Sequence, residues 1–221
     1  MKAFVNFILF AAFSVLLFSC QKELSIDLSG NSNGSSGGDN NGNTSIIGDW
    51  DFIAADMDVS AVGLADDDLL GTIELINSYK TTTQNNKGSL KITTTEFQSS
   101  GLSYSVSTDL HISLSTGGVP AFPDQTVPFA FTVPSSNNSG KYQQIGSDSL
   151  YFPETSLISI PETSNGVPSS VGGEPGGARF SLVSDTLKIL GSTIAATTLN
   201  EYGYNFSVKK KENIVFRYQR K

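Results

Sequence analysis

The feature that most constrains this chain is a period of two. In Tyr104-Ser-Val106-Ser-Thr108-Asp-Leu110-His-Ile112-Ser-Leu114, every even position is apolar or Thr and every odd position is polar. Successive side chains of an extended strand point to opposite faces, so this run reads as a half-buried strand with one wet face. A helix would spread the same residues around its whole circumference. The pattern recurs at Val127, Phe129, Phe131 and Val133, at Tyr202, Tyr204, Phe206 and Val208, and at Ile214, Phe216 and Tyr218. Shorter runs at 46–54, 72–79, 89–97, 141–145, 149–152, 178–183 and 186–190 add further strands.

Residues that tolerate positive φ separate these runs: Asn85-Asn86-Lys87-Gly88, Gly146-Ser147-Asp148 and Ser184-Asp185. Residues 209–213, with Lys209, Lys210 and Lys211, are expected to join the last two strands as a solvated hairpin tip whose charge discourages edge pairing. Successive hairpins with one wet face predict an all-β fold, an antiparallel meander closed into a β-barrel or, alternatively, stacked as a β-sandwich. Two stretches break the rhythm. Residues 56–71 are acidic and read as irregular. Residues 153–177 are rich in Pro, Gly and Ser, with Pro153-Glu-Thr-Ser156 recurring as Pro161-Glu-Thr-Ser164. Both are expected to be loops.

The first 45 residues are of another kind. Lys2 precedes a nearly unbroken apolar run from Ala3 to Phe18, which stops at Leu17-Phe18-Ser19-Cys20. About 16 residues is short for a transmembrane helix, which needs about 20, and the small residue at the end marks a processing site. Leu17-Phe18-Ser19-Cys20 resembles the lipobox of bacterial lipoproteins, with an aliphatic residue at −3 and a small one at −1. That resemblance implies a signal peptide over 1–19 and a lipid on Cys20. Gln21-Lys22-Glu23 and Asp27 resemble the sorting signals of Bacteroidota surface lipoproteins, which implies an outer-membrane anchor facing the cell exterior in preference to the periplasm. Residues 29–45 hold only Gly, Ser, Asn, Asp and Thr. Nothing there can offset the entropy of ordering, so 20–45 is expected to be a flexible linker with a mean reach of about 20–25 Å. Residues 46–221 then form the single β domain.

Charge and composition narrow the chemistry. Loss of 1–19 removes Lys2 and leaves 13 basic against 21 acidic residues, a net charge of −8. An acidic domain is a poor nucleic-acid binder, because that affinity rests on Lys and Arg neutralising phosphates. Cys20 is the only cysteine and His111 the only histidine. Zinc sites and Cys–His pairs are therefore excluded. His111 falls on the polar parity of its strand and is expected to face solvent. Neither a nucleophile elbow nor a phosphate-cradling Gly loop occurs. Asp56, Asp58, Asp66, Asp67 and Asp68 lack the spacing and glycine of a calcium loop and read as a solvated acidic stretch. The expectation is a protein that is not an enzyme, with no cofactor and no metal.

The domain opens on Gly48-Asp49-Trp50 and closes on a strand bearing Arg217 and Arg220. A Gly-x-Trp on the first strand with a basic residue on the last resembles the lipocalin pattern. The hairpins at Gly140-Lys141-Tyr142, Asp148-Ser149-Leu150 and Asp185-Thr186-Leu187 resemble those of lipocalin-like lipoproteins of Bacteroidota. The resemblance implies a barrel whose closed end is sealed by Arg217 or Arg220 lying over Trp50, with Arg220 favoured by parity. It also makes Asp148-Ser149-Leu150 and Asp185-Thr186-Leu187 similar to glycan attachment sites of that group. Functionally it implies a small apolar or amphipathic ligand, with Phe129, Phe131, Tyr202, Tyr204 and Phe206 as candidate pocket lining. The alternative is an accessory or structural protein of the cell envelope, in which the same aromatics fill a solid core.

Overall fold

A computed structural model describes residues 45–154, 157, 163–164, 167–168, 175–201 and 204–221. The expected signal peptide, Cys20, nearly all of the linker, Tyr202 and most of 153–177 lie outside the described residues.

The described residues form strands and no helix. In chain order these are β1 (Gly48–Asp67), β2 (Gly71–Thr82), β3 (Gln84–Ile92), β4 (Glu96–Thr116), β5 (Val119–Pro120), β6 (Gln125–Lys141), β7 (Gln143–Ile145), β8 (Ser149–Phe152), β9 (Thr163–Ser164), β10 (Val167–Pro168), β11 (Gly176–Val183), β12 (Thr186–Glu201) and β13 (Tyr204–Arg220). All pairings are antiparallel. Eleven strands make one sheet and β9–β10 a separate hairpin. Two stacked sheets, the sandwich alternative, are not what the pairing shows.

Thirteen labels overstate the complexity. β2 and β3 both lie between β1 and β4, and together they are one long strand interrupted at Thr83. Asn85-Asn86-Lys87-Gly88 is therefore a bulge and not the expected turn. The expectation of positive φ holds at Asn85 (53°) and Gly88 (121°), but the chain continues in the same direction. Thr83 locks the bulge. Its hydroxyl accepts from Ala55 N (2.8 Å) and donates to Asn86 Oδ1 (2.7 Å). The reversal comes later, between Ile92 and Glu96. Likewise β6 passes through the single residue Tyr142 into β7. Tyr142 holds this corner by donating its amide to Thr95 O (2.9 Å) and its hydroxyl to Thr93 O (2.6 Å).

Hydrogen-bonded neighbours then run in a circuit: β1, β2–β3, β4, β6–β7, β8, β11, β12, β13 and back to β1. The first and last strands pair over most of their length, Trp50 opposite Arg220 and Leu64 opposite Ser207, with a bulge between Phe52 and Ala54. The register climbs around the circuit. Ile145 faces Ser149, then Arg179, Leu190, Val215, Asp56 and Thr82 follow in turn. The path returns to the shared strand near Ala130, about 15 residues from where it left, and so large a stagger means strongly tilted strands.

Two expected loops are strand. Residues 56–67 are the outer half of β1, with Met57, Val59, Ala61 and Ala65 inward and buried and Asp58, Leu64 and Asp66 outward. Small inward residues had hidden the alternation. Residues 209–213 are not a hairpin tip but the middle of β13, which runs unbroken from Tyr204 beside an equally long β12. The strands of 186–190 and 214–218 are thus the lower parts of a long hairpin.

Candidate functional site

The inner face of the sheet divides by height. At the base, where Gly48 begins, large side chains fill it: Trp50, Phe52, Leu90, Phe97, Phe152, Leu187, Ile189, Phe216 and Tyr218 are all buried. Phe97 meets Phe152 edge-on at 5.4 Å between ring centres. Trp50 is fully buried and donates its indole N–H to Ile46 O (2.9 Å). The Arg220 guanidinium lies 4.3 Å from the Trp50 ring centre, and its nitrogens donate to Ser45 O (2.7 Å) and Ile47 O (3.3 Å). Gly48 allows this stack, since its φ is +148° and a Cβ would sit 3.1 Å from the guanidinium. Arg217 takes no part. It is on the outer face and donates to Asp56 Oδ1 (3.0 Å). The odd–even alternation that buries Phe216 and Tyr218 sends Arg217 out and brings Arg220 in.

In the far half only six strands continue, in the order β6, β4, β2, β1, β13, β12. β8 and β11 stop short, and among the described residues no strand pairs with the outer edges of β6 and upper β12. Leu157, between β8 and β11 in the chain, is buried in the core. Here the inner face carries Ala61, Gly63 and Ala65 on β1. Phe206 lies beside them on β13, 3.5 Å from where a Cβ of Gly63 would be, and with Leu114 of β4 and Val127, Phe129 and Phe131 of β6 it packs on the core yet stays partly exposed. Phe129 lies 5.2 Å from the Tyr79 ring and 5.5 Å from Phe131. Three of the five aromatics expected as pocket lining thus share one reachable inner face. Tyr204 stands at the rim, its hydroxyl donating to Asp67 Oδ2 (2.9 Å), and Tyr202 is outside the described residues. Asp67 also accepts the Leu69 and Leu70 amides (2.8 Å each), and these backbone bonds, with the Tyr204 hydroxyl, hold its carboxyl below the usual range.

One depression of about 380 Å³ is bordered by Ser107, Thr108, Asp109, Pro128, Phe129 and Ala130. Two of about 590 Å³ lie elsewhere, one around Asp58, Lys80 and Asn213, the other around Lys91, Glu96 and Lys141. Both are open at the surface and carry the ion pairs Asp58–Lys80 (2.8 Å) and Glu154–Lys141 (4.0 Å). His111 is exposed, with Thr126 Oγ1 3.4 Å from its Nδ1. The described residues hold no group of three or more His, Cys, Asp or Glu able to bind a metal ion.

One group escaped the sequence reading. Lys210 and Glu212, assigned above to a solvated tip, point inward in mid-strand and form an ion pair. The signal was present: both share the parity of Val208 and Ile214. Compared with known proteins, the chain matches no family model, no curated protein and no solved structure.

Proposed function

We propose that this protein is a lipid-anchored binding module of the bacterial outer membrane, carrying a lipocalin-like barrel that holds a small apolar or amphipathic ligand on its inner face. The observation that carries the reading is the partly exposed set Phe129, Phe131 and Phe206. A strand pair that only fills a core buries such rings fully, as the base of this same sheet does, whereas ligand sites are concave, mostly apolar and reachable. The Arg220–Trp50 stack at one end and the pairing of the first strand with the last support the lipocalin-like part. Leu17-Phe18-Ser19-Cys20 supports the anchor, which places the domain at a membrane surface where amphiphiles are plentiful.

Native mass spectrometry of the full chain purified from cells tests the ligand. The expected result is a co-purified small molecule beyond the acyl chains on Cys20, lost from a Phe129→Ala/Phe206→Ala variant. A wild-type protein that carries nothing and takes up no amphiphile removes the binding reading and leaves an accessory envelope protein. Cys20→Ser separates the anchor from the pocket: it is expected to release the protein from the membrane fraction with ligand binding intact.

A further inference from the structure

Halfway up the inner face, charge interrupts the apolar alternation. Below lie Ile214 and Phe216, and above lie Val208 and Phe206. Between them Glu212 is only 7% exposed and Lys210 partly exposed, paired to each other. Their neighbours on β1 are Val59, opposite Glu212, and Ala61, opposite Lys210. Tyr79 stands next to Val59 on the following strand. Tyr104, 2% exposed, belongs to the same core, and its hydroxyl has no hydrogen-bond partner among the described residues. Burial raises the Tyr79 and Tyr104 phenols, and the nearby Glu212 carboxylate adds to both.

Stability does not account for this cluster. A buried ion pair is often no better than apolar residues of the same volume, and an unpartnered buried hydroxyl costs about 1–3 kcal/mol. The pair also sits at the boundary between the filled base and the reachable half, where the inner end of a bound molecule would stop.

We propose that Lys210, Glu212, Tyr79 and Tyr104 form a head-group site for an amphiphile whose polar end carries no net charge, with its apolar chain lying on Phe129, Phe131 and Phe206. The site rests on the ligand-binding reading above and names the ligand class. Lys210 and Glu212 cancel each other, so a carboxylate or ammonium head would bring an uncompensated charge into an apolar surround. A neutral head such as a glyceride, or a zwitterion, brings none. Its hydroxyl or ester oxygens give the Tyr104 hydroxyl an acceptor and give both ions further hydrogen bonds.

The test is equilibrium dialysis of the full chain at neutral pH against monodecanoylglycerol, decanoate and decylamine, which share a chain and differ in head charge. Wild type is expected to bind monodecanoylglycerol at least about tenfold tighter than either ion. Glu212→Gln leaves Lys210 uncompensated and is expected to shift the preference to decanoate; Lys210→Met leaves Glu212 and is expected to shift it to decylamine. The double variant restores a neutral site and the preference for the glyceride, and Trp50 emission checks that each variant is folded. Equal preferences in all four proteins would overturn the head-group site while leaving the pocket. Binding of none of the three probes by wild type would overturn both.

Discussion

The base and the far half of this sheet obey the same alternation and end in opposite states. At the base the inward positions are Trp50, Phe52, Leu90, Phe216 and Tyr218, and eight strand segments surround them. In the far half the inward positions of β1 shrink to Ala61, Gly63 and Ala65, β8 and β11 do not extend there among the described residues, and Phe129, Phe131 and Phe206 stay partly exposed. Alternation decides which face is dry. Side-chain size and the number of walls decide whether that dry face is solid or open. Full burial is concentrated at one end and partial exposure at the other.

The sharpest way to break the comparison is Trp50→Ala. Truncating a fully buried indole at the base is expected to cost about 3–5 kcal/mol, enough to unfold much of a domain of ordinary stability. Denaturant unfolding followed by circular dichroism measures it, and a midpoint like wild type would mean the base is not the stable half. Gly88→Ala comes next. At φ +121° an added Cβ would lie 2.7 Å from Leu102 Cα, backbone that cannot swing aside. The expected loss is about 2–3 kcal/mol, against about 1 kcal/mol for an alanine at Gly118, where a Cβ meets nothing within 4 Å and only the positive φ of +79° is strained.

Arg220→Met should cost about 1–2 kcal/mol through the lost stack and its hydrogen bonds. Trp50 emission would shift to the red and iodide would quench it more, whereas Arg217→Met should leave that emission unchanged. Phe129→Ala, in the far half, is expected to cost only about 1–2 kcal/mol, because a partly exposed ring has less to lose, yet to abolish ligand uptake. A loss matching that of Trp50→Ala would show the far half to be as solid as the base.

The smallest effect belongs to the rim. Asp67 has a lowered carboxyl in the folded state, so its contribution is fully present above its unfolded-state value and is lost as the pH falls through the lower folded one. Tyr204→Phe removes one of the hydrogen bonds responsible, and the Asp67 titration followed by NMR should move up towards the ordinary carboxylate value. Hydrogen exchange at Leu69 and Leu70 should then rise at mildly acidic pH while Leu90 and Ile189 stay protected. An unmoved titration would mean that the Tyr204 hydroxyl does not hold Asp67.

Much of this was legible in the residues themselves. Inward and outward positions of β4, β6 and lower β13 follow directly from their alternation, because a strand displays its side chains by its own backbone geometry, whatever lies beside it. The parity that turns Arg217 outward and Arg220 inward is of the same kind. Three things were not legible. The bulge at 83–88 looked like a turn, since Asn and Gly serve both and only the distant partner strands β1 and β4 decide between them. Upper β1 looked irregular because Ala and Gly carry little hydrophobic signal, and it is strand because β2 and β13 pair with it on both sides. Lys210 and Glu212 looked solvated because charges near a chain end usually are, and they are inward because β12 extends β13 without a break.

The sequence by itself determined that this chain folds as β-sheet, and which side of most strands is dry: period and parity are properties of one strand and need no partner. Only the tertiary structure decided that the last strand lies against the first, that large rings fill one end while the inward residues of β1 at the other are alanine and glycine, and that an ion pair stands at the boundary. Those outcomes depend on register between residues as far apart as Trp50 and Arg220. Register is set by the summed pairing and packing of the whole sheet, which no local run of residues contains.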